Sequence, residues 1–164
     1  MTEKELMTEA LALAKLSFDE GEVPVGAVVT RNGEIVSVGR NRREKDKNAL
    51  AHAEIEAIDR ACKALGGWRL WECELFVTLE PCPMCAGAIL NSRLSRIVYG
   101  SPDKRFGGCG TTIDVVSDNA LGVKVQVTGG VKADECLGLI RAFFMEMRSK
   151  KGDSGAKTPK ELLS

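Results

Sequence analysis

A single histidine, His52, stands thirty positions ahead of the one Cys-x-x-Cys in the chain, Cys82-Pro83-Met84-Cys85. Two cysteines three apart at a helix start can aim both sulfurs at one point. A helix N-terminus also favours thiolate, the form that binds metal. With the imidazole added, the set is His-Cys-Cys, three soft-to-borderline donors suited to zinc. Structural zinc sites usually have four protein ligands, whereas three leave a position for water, so the count points to catalysis. Two other readings stand beside this one. The Cys-x-x-Cys is compatible with a thioredoxin-like redox pair, and its spacing does not separate redox from zinc. A lone histidine is also more commonly a hydrogen-bonded helix residue without special chemistry. Position favours the metal, because His52 and Cys82 each open a helix on the C-terminal side of a sheet region, where ligands of open α/β sheets collect.

Such a site needs a proton carrier. A metal-held water has its pKa drawn toward neutrality, and a nearby carboxylate can carry its proton to a leaving group. Glu54 and Glu56, two and four positions after His52, are the candidates. Helical-wheel reasoning prefers Glu56, because i+4 shares a face with i. In the first helical turn, however, the metal lies beyond the helix end, where a residue two positions on still reaches. Periodicity leaves the choice open, and Glu56 reads equally as a solvated surface residue.

These side chains require two helix starts at one edge of a sheet, and the surrounding pattern supplies them. Leu6, Ala10, Leu13, Ala14 and Phe18 predict an amphipathic helix over 4–18, closed at Gly21. β-rich runs over 25–29 and 35–38 flank Asn32-Gly33, a strong hairpin signal. Residues 40–50 read as a charged loop. Ile55, Ile58, Cys62 and Leu65 mark a helix over 51–65, stopped by Gly66-Gly67. A strand over 74–79 leads to a helix opened by Pro81-Cys82-Pro83 and ending near Ser92. A strand over 96–100, a glycine-rich loop over 106–110, a fifth strand over 123–128 and a last helix over 132–148 complete the order. That order predicts one α/β domain over 1–150, with helices on both faces of a five-stranded mixed sheet, and a mobile tail over 151–164.

His52-Ala53-Glu54 followed by Pro81-Cys82-Pro83-Met84-Cys85 fits the signature of the zinc deaminases. The match extends to the runs Glu22 to Ala27, Thr78 to Ile89, Val98-Tyr99-Gly100 and Phe143-Phe144. Over about residues 5–150 the chain resembles the tRNA adenosine deaminases of the cytidine/deoxycytidylate deaminase superfamily. The resemblance implies a three-layer α/β/α cytidine-deaminase-like fold. It also implies hydrolytic conversion of adenosine to inosine at the wobble position of a tRNA anticodon, using zinc-activated water. Carried over residue by residue, His52, Cys82 and Cys85 would hold one Zn2+ per chain and Glu54 would shuttle protons, against the helical-wheel preference. Asn41 and Ala53 would contact the bound nucleoside, and Asp103 and Phe144 would face the RNA. Read without the resemblance, Asn41 is a turn residue beside Gly39, and at least one of Phe143 and Phe144 belongs to the core. The segment Asp103-Lys104-Arg105-Phe106-Gly107-Gly108-Cys109-Gly110-Thr111 departs from the bacterial pattern Asp-x-Lys-x-Gly-Ala-x-Gly-Ser and looks more like the eukaryotic catalytic subunit. The implied partners are a tRNA anticodon stem-loop and a second copy of the chain, since bacterial members are homodimers. The eukaryotic catalytic subunit instead pairs with an inactive partner, and the intact Glu54 does not look like such a partner.

Composition bounds these readings. With 164 residues, 44% hydrophobic and 28% charged, the chain reads as one soluble domain. No apolar run approaches the ~18 residues of a membrane span and the polar N-terminus has no signal-peptide core, so a cytoplasmic protein is expected. In that setting the six cysteines are expected to be reduced, Cys62 and Cys136 as small core residues. Lys plus Arg equal Asp plus Glu, which does not advertise a nucleic-acid binder. The balance is uneven along the chain, however. Residues 1–22 hold two basic and six acidic residues, 40–47 five and two, 93–105 four and one, and 141–160 six and two. Local basic surface suffices for phosphate contacts. Two further hypotheses share the metal motif: a deaminase of a free base or nucleoside of guanine or cytosine type, and a zinc-stabilised noncatalytic subunit.

Overall fold

The computed structural model describes residues 1–117, 119 and 121–154. The chain opens with Thr2, whose side chain accepts from the Glu5 backbone N–H while Glu5 reaches back to the Thr2 N–H. This capping box starts helix α1 (Glu3–Asp19). Strands β1 (Gly26–Arg31) and β2 (Glu34–Arg40) form the expected hairpin. Asn32 and Gly33 both have positive φ, 53° and 77°, as a two-residue primed turn requires. Helix α2 (Ala53–Leu65), strand β3 (Cys73–Leu79), helix α3 (Pro83–Asn91), strand β4 (Arg96–Ser101), strand β5 (Gln126–Thr128) and helix α4 (Ala133–Ser154) follow in the predicted order.

The sheet order is β2-β1-β3-β4-β5. β1 is antiparallel to β2 and β3, whereas β3, β4 and β5 run parallel, so the sheet is mixed. Side chains alternate across the pleat and split the core in two. Ala27, Val29, Leu75, Val77 and Ile97 pack with Ala57, Ala61, Ala86 and Ile89 beneath α2 and α3. Val28, Phe76 and Val98 pack with Leu6, Met7, Ala10 and Cys136 beneath α1 and α4. Burying both faces of the central strands gives the three-layer α/β/α arrangement. All six cysteines are free thiols, and Cys136 is buried as expected, whereas Cys62 is only partly so.

Beyond shifts of one or two residues at strand ends, three differences from the sequence reading stand out. α2 begins at Ala53 rather than 51, leaving His52 as its N-cap with extended backbone. β5 keeps only three of six expected residues, because the Asn119 side chain takes both the N–H (3.1 Å) and the C=O (2.7 Å) of Val123 out of reach of the ladder. α4 runs to Ser154, four residues into the expected tail, and the rest of that tail, 155–164, lies outside the described residues.

Candidate metal centre

The parallel strand β3 delivers the chain, through Glu80 and Pro81, to the start of α3. There Cys82 is the N-cap and Pro83 the first helical residue. Pro83 costs nothing at that position because its missing N–H would have no helical partner. The next layer brings the N-terminus of α2 to the same end of the sheet. Gly39 on β2 allows this approach, since a Cβ there would run into the Ala53 carbonyl oxygen. The two helix starts converge, with His52 Nδ1 lying 3.7 Å from Cys82 Sγ and 3.6 Å from Cys85 Sγ. All three donor atoms lie within 4.8 Å of one another. For zinc bonds of about 2.05 Å to nitrogen and 2.3 Å to sulfur, a tetrahedral angle separates nitrogen from sulfur by about 3.6 Å. The donor set and its two nitrogen–sulfur separations therefore fit a zinc ion.

The electrostatics of the cluster follow from proximity and burial. Hydrogen bonding from the Cys85 thiol, and then from His52, pulls Cys82 down to about 4 despite the cost of burial. Cys85 is pushed up by its hydrogen bond to Cys82 and by burial. The Cys82 hydrogen bond raises His52, with the Arg43 guanidinium opposing. Without metal, the site thus holds one ready thiolate facing a histidine.

Glu54 is buried, 4% exposed, within hydrogen-bonding reach of the Cys85 thiol. Burial raises its carboxyl to about 6, which lets it both take and give a proton near neutrality. Glu56, which the helical wheel favours, is elsewhere. It accepts from the Arg40 backbone N–H at 2.8 Å and pairs with Arg60 at 2.6 Å and Arg42 at 3.8 Å. The wheel fails because His52 caps the helix with extended backbone, so its side chain does not share the helical phase.

The other sequence candidates form the surroundings. Ala53, the first residue of α2, has a fully buried side chain. Asn41 is buried, donating to the Val23 carbonyl at 3.1 Å and accepting from the Arg43 N–H at 3.3 Å, so it shapes the loop after β2. Asp103 Oδ1 accepts from the N–H groups of Arg105 and Phe106, a tight turn in the loop after β4. Phe144 is exposed on α4 and packs edge-on against Phe143, which is buried against Phe18. Cys109 is buried, and burial pushes its thiol up to about 12 with the Glu80, Glu54, Asp114 and Cys82 charges adding to the rise.

Of the basic stretches, Arg43 is exposed close enough to His52 to act on its charge and Lys47 is exposed on the same loop. Arg40 and Arg42 turn inward to Glu20 and Glu56, and the exposed Lys45 reaches Glu20 at 3.8 Å. Arg93 and Arg96 are not at this end. Arg93 lies over the Trp68 ring and Arg96 is paired with Glu3 and Glu74, which leaves Lys104 and Arg105 as the basic residues of that stretch on the loop beside the cluster.

Sequence reasoning missed two buried glutamates. Glu22 accepts from the backbone N–H groups of Glu44 and Lys45. Glu80 accepts from those of Asp103, Cys109 and Thr111 and from the Thr111 hydroxyl. The only sequence signal for Glu80 is an acidic residue wedged between a strand and the Pro-Cys turn.

The sequence profile of the MafB19-like deaminase family matches residues 1–141. A tRNA-specific adenosine deaminase of Bacillus subtilis (strain 168) is 47% identical over 152 residues, 92% of this chain and 94% of that protein. A solved structure from studies of A-to-I editing by tRNA:A34 deaminases at the wobble position superposes with a TM-score of 0.79. It is 36% identical and is matched over 82% of this chain and 98% of its own. A guanine deaminase from Bacillus subtilis is also 36% identical, with a TM-score of 0.59 over 62% of this chain and 66% of its own.

Proposed function

The chain belongs to the MafB19-like deaminase family, among the tRNA-specific adenosine deaminases, and on that premise we propose that it hydrolyses adenosine to inosine at the tRNA wobble position. The observation that carries this reading is the His52, Cys82 and Cys85 cluster with the buried Glu54 carboxyl beside it. In the reaction water adds oxygen to C6 of adenine, the C6–N bond breaks and ammonia leaves. The target base must first leave its stack, which costs least in an unpaired loop.

His52, Cys82 and Cys85 would hold one Zn2+ per chain, and the fit of their spacing supports this assignment. When bound, the metal supplies Lewis acidity toward a water, drawing its pKa toward neutrality. Glu54 would take the water's two protons in turn, passing the first to ring N1 as oxygen adds to C6 and the second, from the added hydroxyl, to the departing amine as the C6–N bond breaks. Its carboxyl near 6 suits both directions of transfer. Burial of Glu54 and Cys85 keeps bulk water from competing for those protons.

Asn41 and Ala53 border the nucleoside, while Asp103 and Phe144 meet the RNA around it. Arg43, Lys104 and Arg105 are exposed cations suited to phosphate contacts, which reconciles a net charge of zero with an RNA substrate. The protein acts as a homodimer in the cytoplasm. The half-exposed Met84, Gly87 and Ala88 on the outer face of α3 are compatible with a covering subunit. No helix among the described residues is long and apolar enough to cross a membrane.

The test is incubation with an anticodon stem-loop bearing adenosine at the wobble position, and separately with free adenine, guanine, cytosine and their nucleosides. Inosine in the RNA alone supports the reading. Turnover of a free base with silent RNA overturns it in favour of a free-base deaminase.

A further inference from the structure

The loop over 103–111 touches the metal-ligand turn directly. The Gly108 N–H donates to the Pro81 carbonyl at 2.8 Å, and a Cβ on Gly108 would sit 2.9 Å from the carbonyl carbon of Cys82. The same loop carries, two residues earlier, the exposed ring of Phe106 (56% exposed) with the Arg105 guanidinium 5.3 Å above it. Two residues span at most about 7 Å, so this cation-capped aromatic stands at the rim of the cluster.

What fixes the loop there is Glu80, 2% exposed and only two residues before Cys82. Its Oε1 accepts from the Asp103 N–H at 3.2 Å and from the Thr111 hydroxyl. Its Oε2 accepts from the Cys109 N–H at 3.0 Å and the Thr111 N–H at 3.2 Å. Four donors fill the lone-pair sites of one carboxylate and tie both ends of the loop to the turn that bears the ligands. A side chain at 107 would collide with that carboxylate, so Gly107 lets the loop pass over it.

We propose that Glu80 is a positioning residue that holds Arg105 and Phe106 as a stacking platform for an unpaired base next to the one that enters the site. An exposed aromatic with an adjacent cation is the chemistry that grips single-stranded nucleic acid without base specificity. This rests on the RNA-deaminase reading above. A small free base reaches the cluster without meeting such a rim, so the platform matters only for a longer strand.

Three variants test it: Phe106→Ala, Glu80→Gln, and Thr111→Val, which deletes one hydroxyl at an exposed position. Glu80→Gln turns one donor toward the loop amides, and a lost hydrogen bond of this kind changes an equilibrium about tenfold. Phe106→Ala and Glu80→Gln should each raise KM for the stem-loop about tenfold with kcat within about threefold and zinc content unchanged. Thr111→Val should raise KM in the same direction by less. Because Glu80 acts through the loop, the double variant should show much less than the product of the two single effects. Hydrogen exchange at the Asp103, Cys109 and Thr111 amides should quicken in Glu80→Gln.

KM unchanged in Phe106→Ala, or full additivity in the double variant, overturns the proposal while leaving the deaminase reading intact. If Glu80→Gln does not fold, an unchanged KM in Thr111→Val overturns it as well. Wild-type protein that leaves RNA untouched sinks both readings, which separates the two failures.

Discussion

Removing the metal should expose one thiolate among six cysteines. In the metal-free protein Cys82 sits at about 4, held down first by the Cys85 thiol and then by His52. The other thiols are shifted upward or shielded: Cys109 to about 12, Cys136 to about 11, with Cys62, Cys73 and Cys85 also raised. An ordinary thiol at 9.0 is ~0.1% thiolate at about pH 6, so lowering it to about 4 gains roughly a thousandfold in nucleophile. Against this, a Brønsted slope of about 0.4–0.5 over those five pKa units costs roughly two hundredfold in intrinsic reactivity. Cys82 should therefore alkylate a few-fold faster than an ordinary thiol at about pH 6 and roughly twentyfold slower at about pH 8. The sign follows from the lowered pKa: the reactive form is already complete above about pH 5, so its rate should be flat with pH. The assay is iodoacetamide alkylation after chelation, with the modified residue identified by peptide mass spectrometry. Zinc should block it, and Cys85→Ala should restore a rising profile by removing the main stabilising donor. A Cys82 rate that climbs about tenfold per pH unit between about pH 5.5 and about pH 8 would refute the reasoning.

Glu54→Gln should retain zinc at wild-type stoichiometry by metal analysis while its deamination rate falls by about 10²–10⁴-fold, the usual contribution of a positioned acid–base group. His52→Ala should lose both zinc and turnover, because the chain offers no second imidazole to replace it. Gly39→Ala pushes a methyl group into the Ala53 carbonyl and should destabilise the fold by about 1–3 kcal/mol. Thermal unfolding should register this as a loss of about 2–4 °C per kcal/mol.

Most of the architecture could be read from local signals. The β-rich run around Val25 to Val29 and the helical spacing from Leu6 to Phe18 each point one way, and Asn32-Gly33 carries its own turn geometry. The fifth strand was over-extended because its β-rich residues say nothing about Asn119, whose side chain captures Val123. Among site residues, the Cys-x-x-Cys spacing and the lone histidine named the cluster that the fold brings together. The choice between Glu54 and Glu56 could not be made from periodicity, because a cap residue is out of phase with its own helix. Glu80 was invisible for a different reason. Three of its four donors are backbone N–H groups more than twenty residues away, which no side-chain pattern encodes.

The central claim is that this three-donor cluster serves one metal ion that the chemistry needs. The direct measurement is a titration of chelator-stripped protein with zinc while inosine formation in a wobble-adenosine stem-loop is followed by mass spectrometry of the digested RNA. The rate should start near zero, rise in proportion to added zinc and stop rising at one equivalent per chain. Full activity in the stripped protein, or a break at a different stoichiometry, would contradict the account.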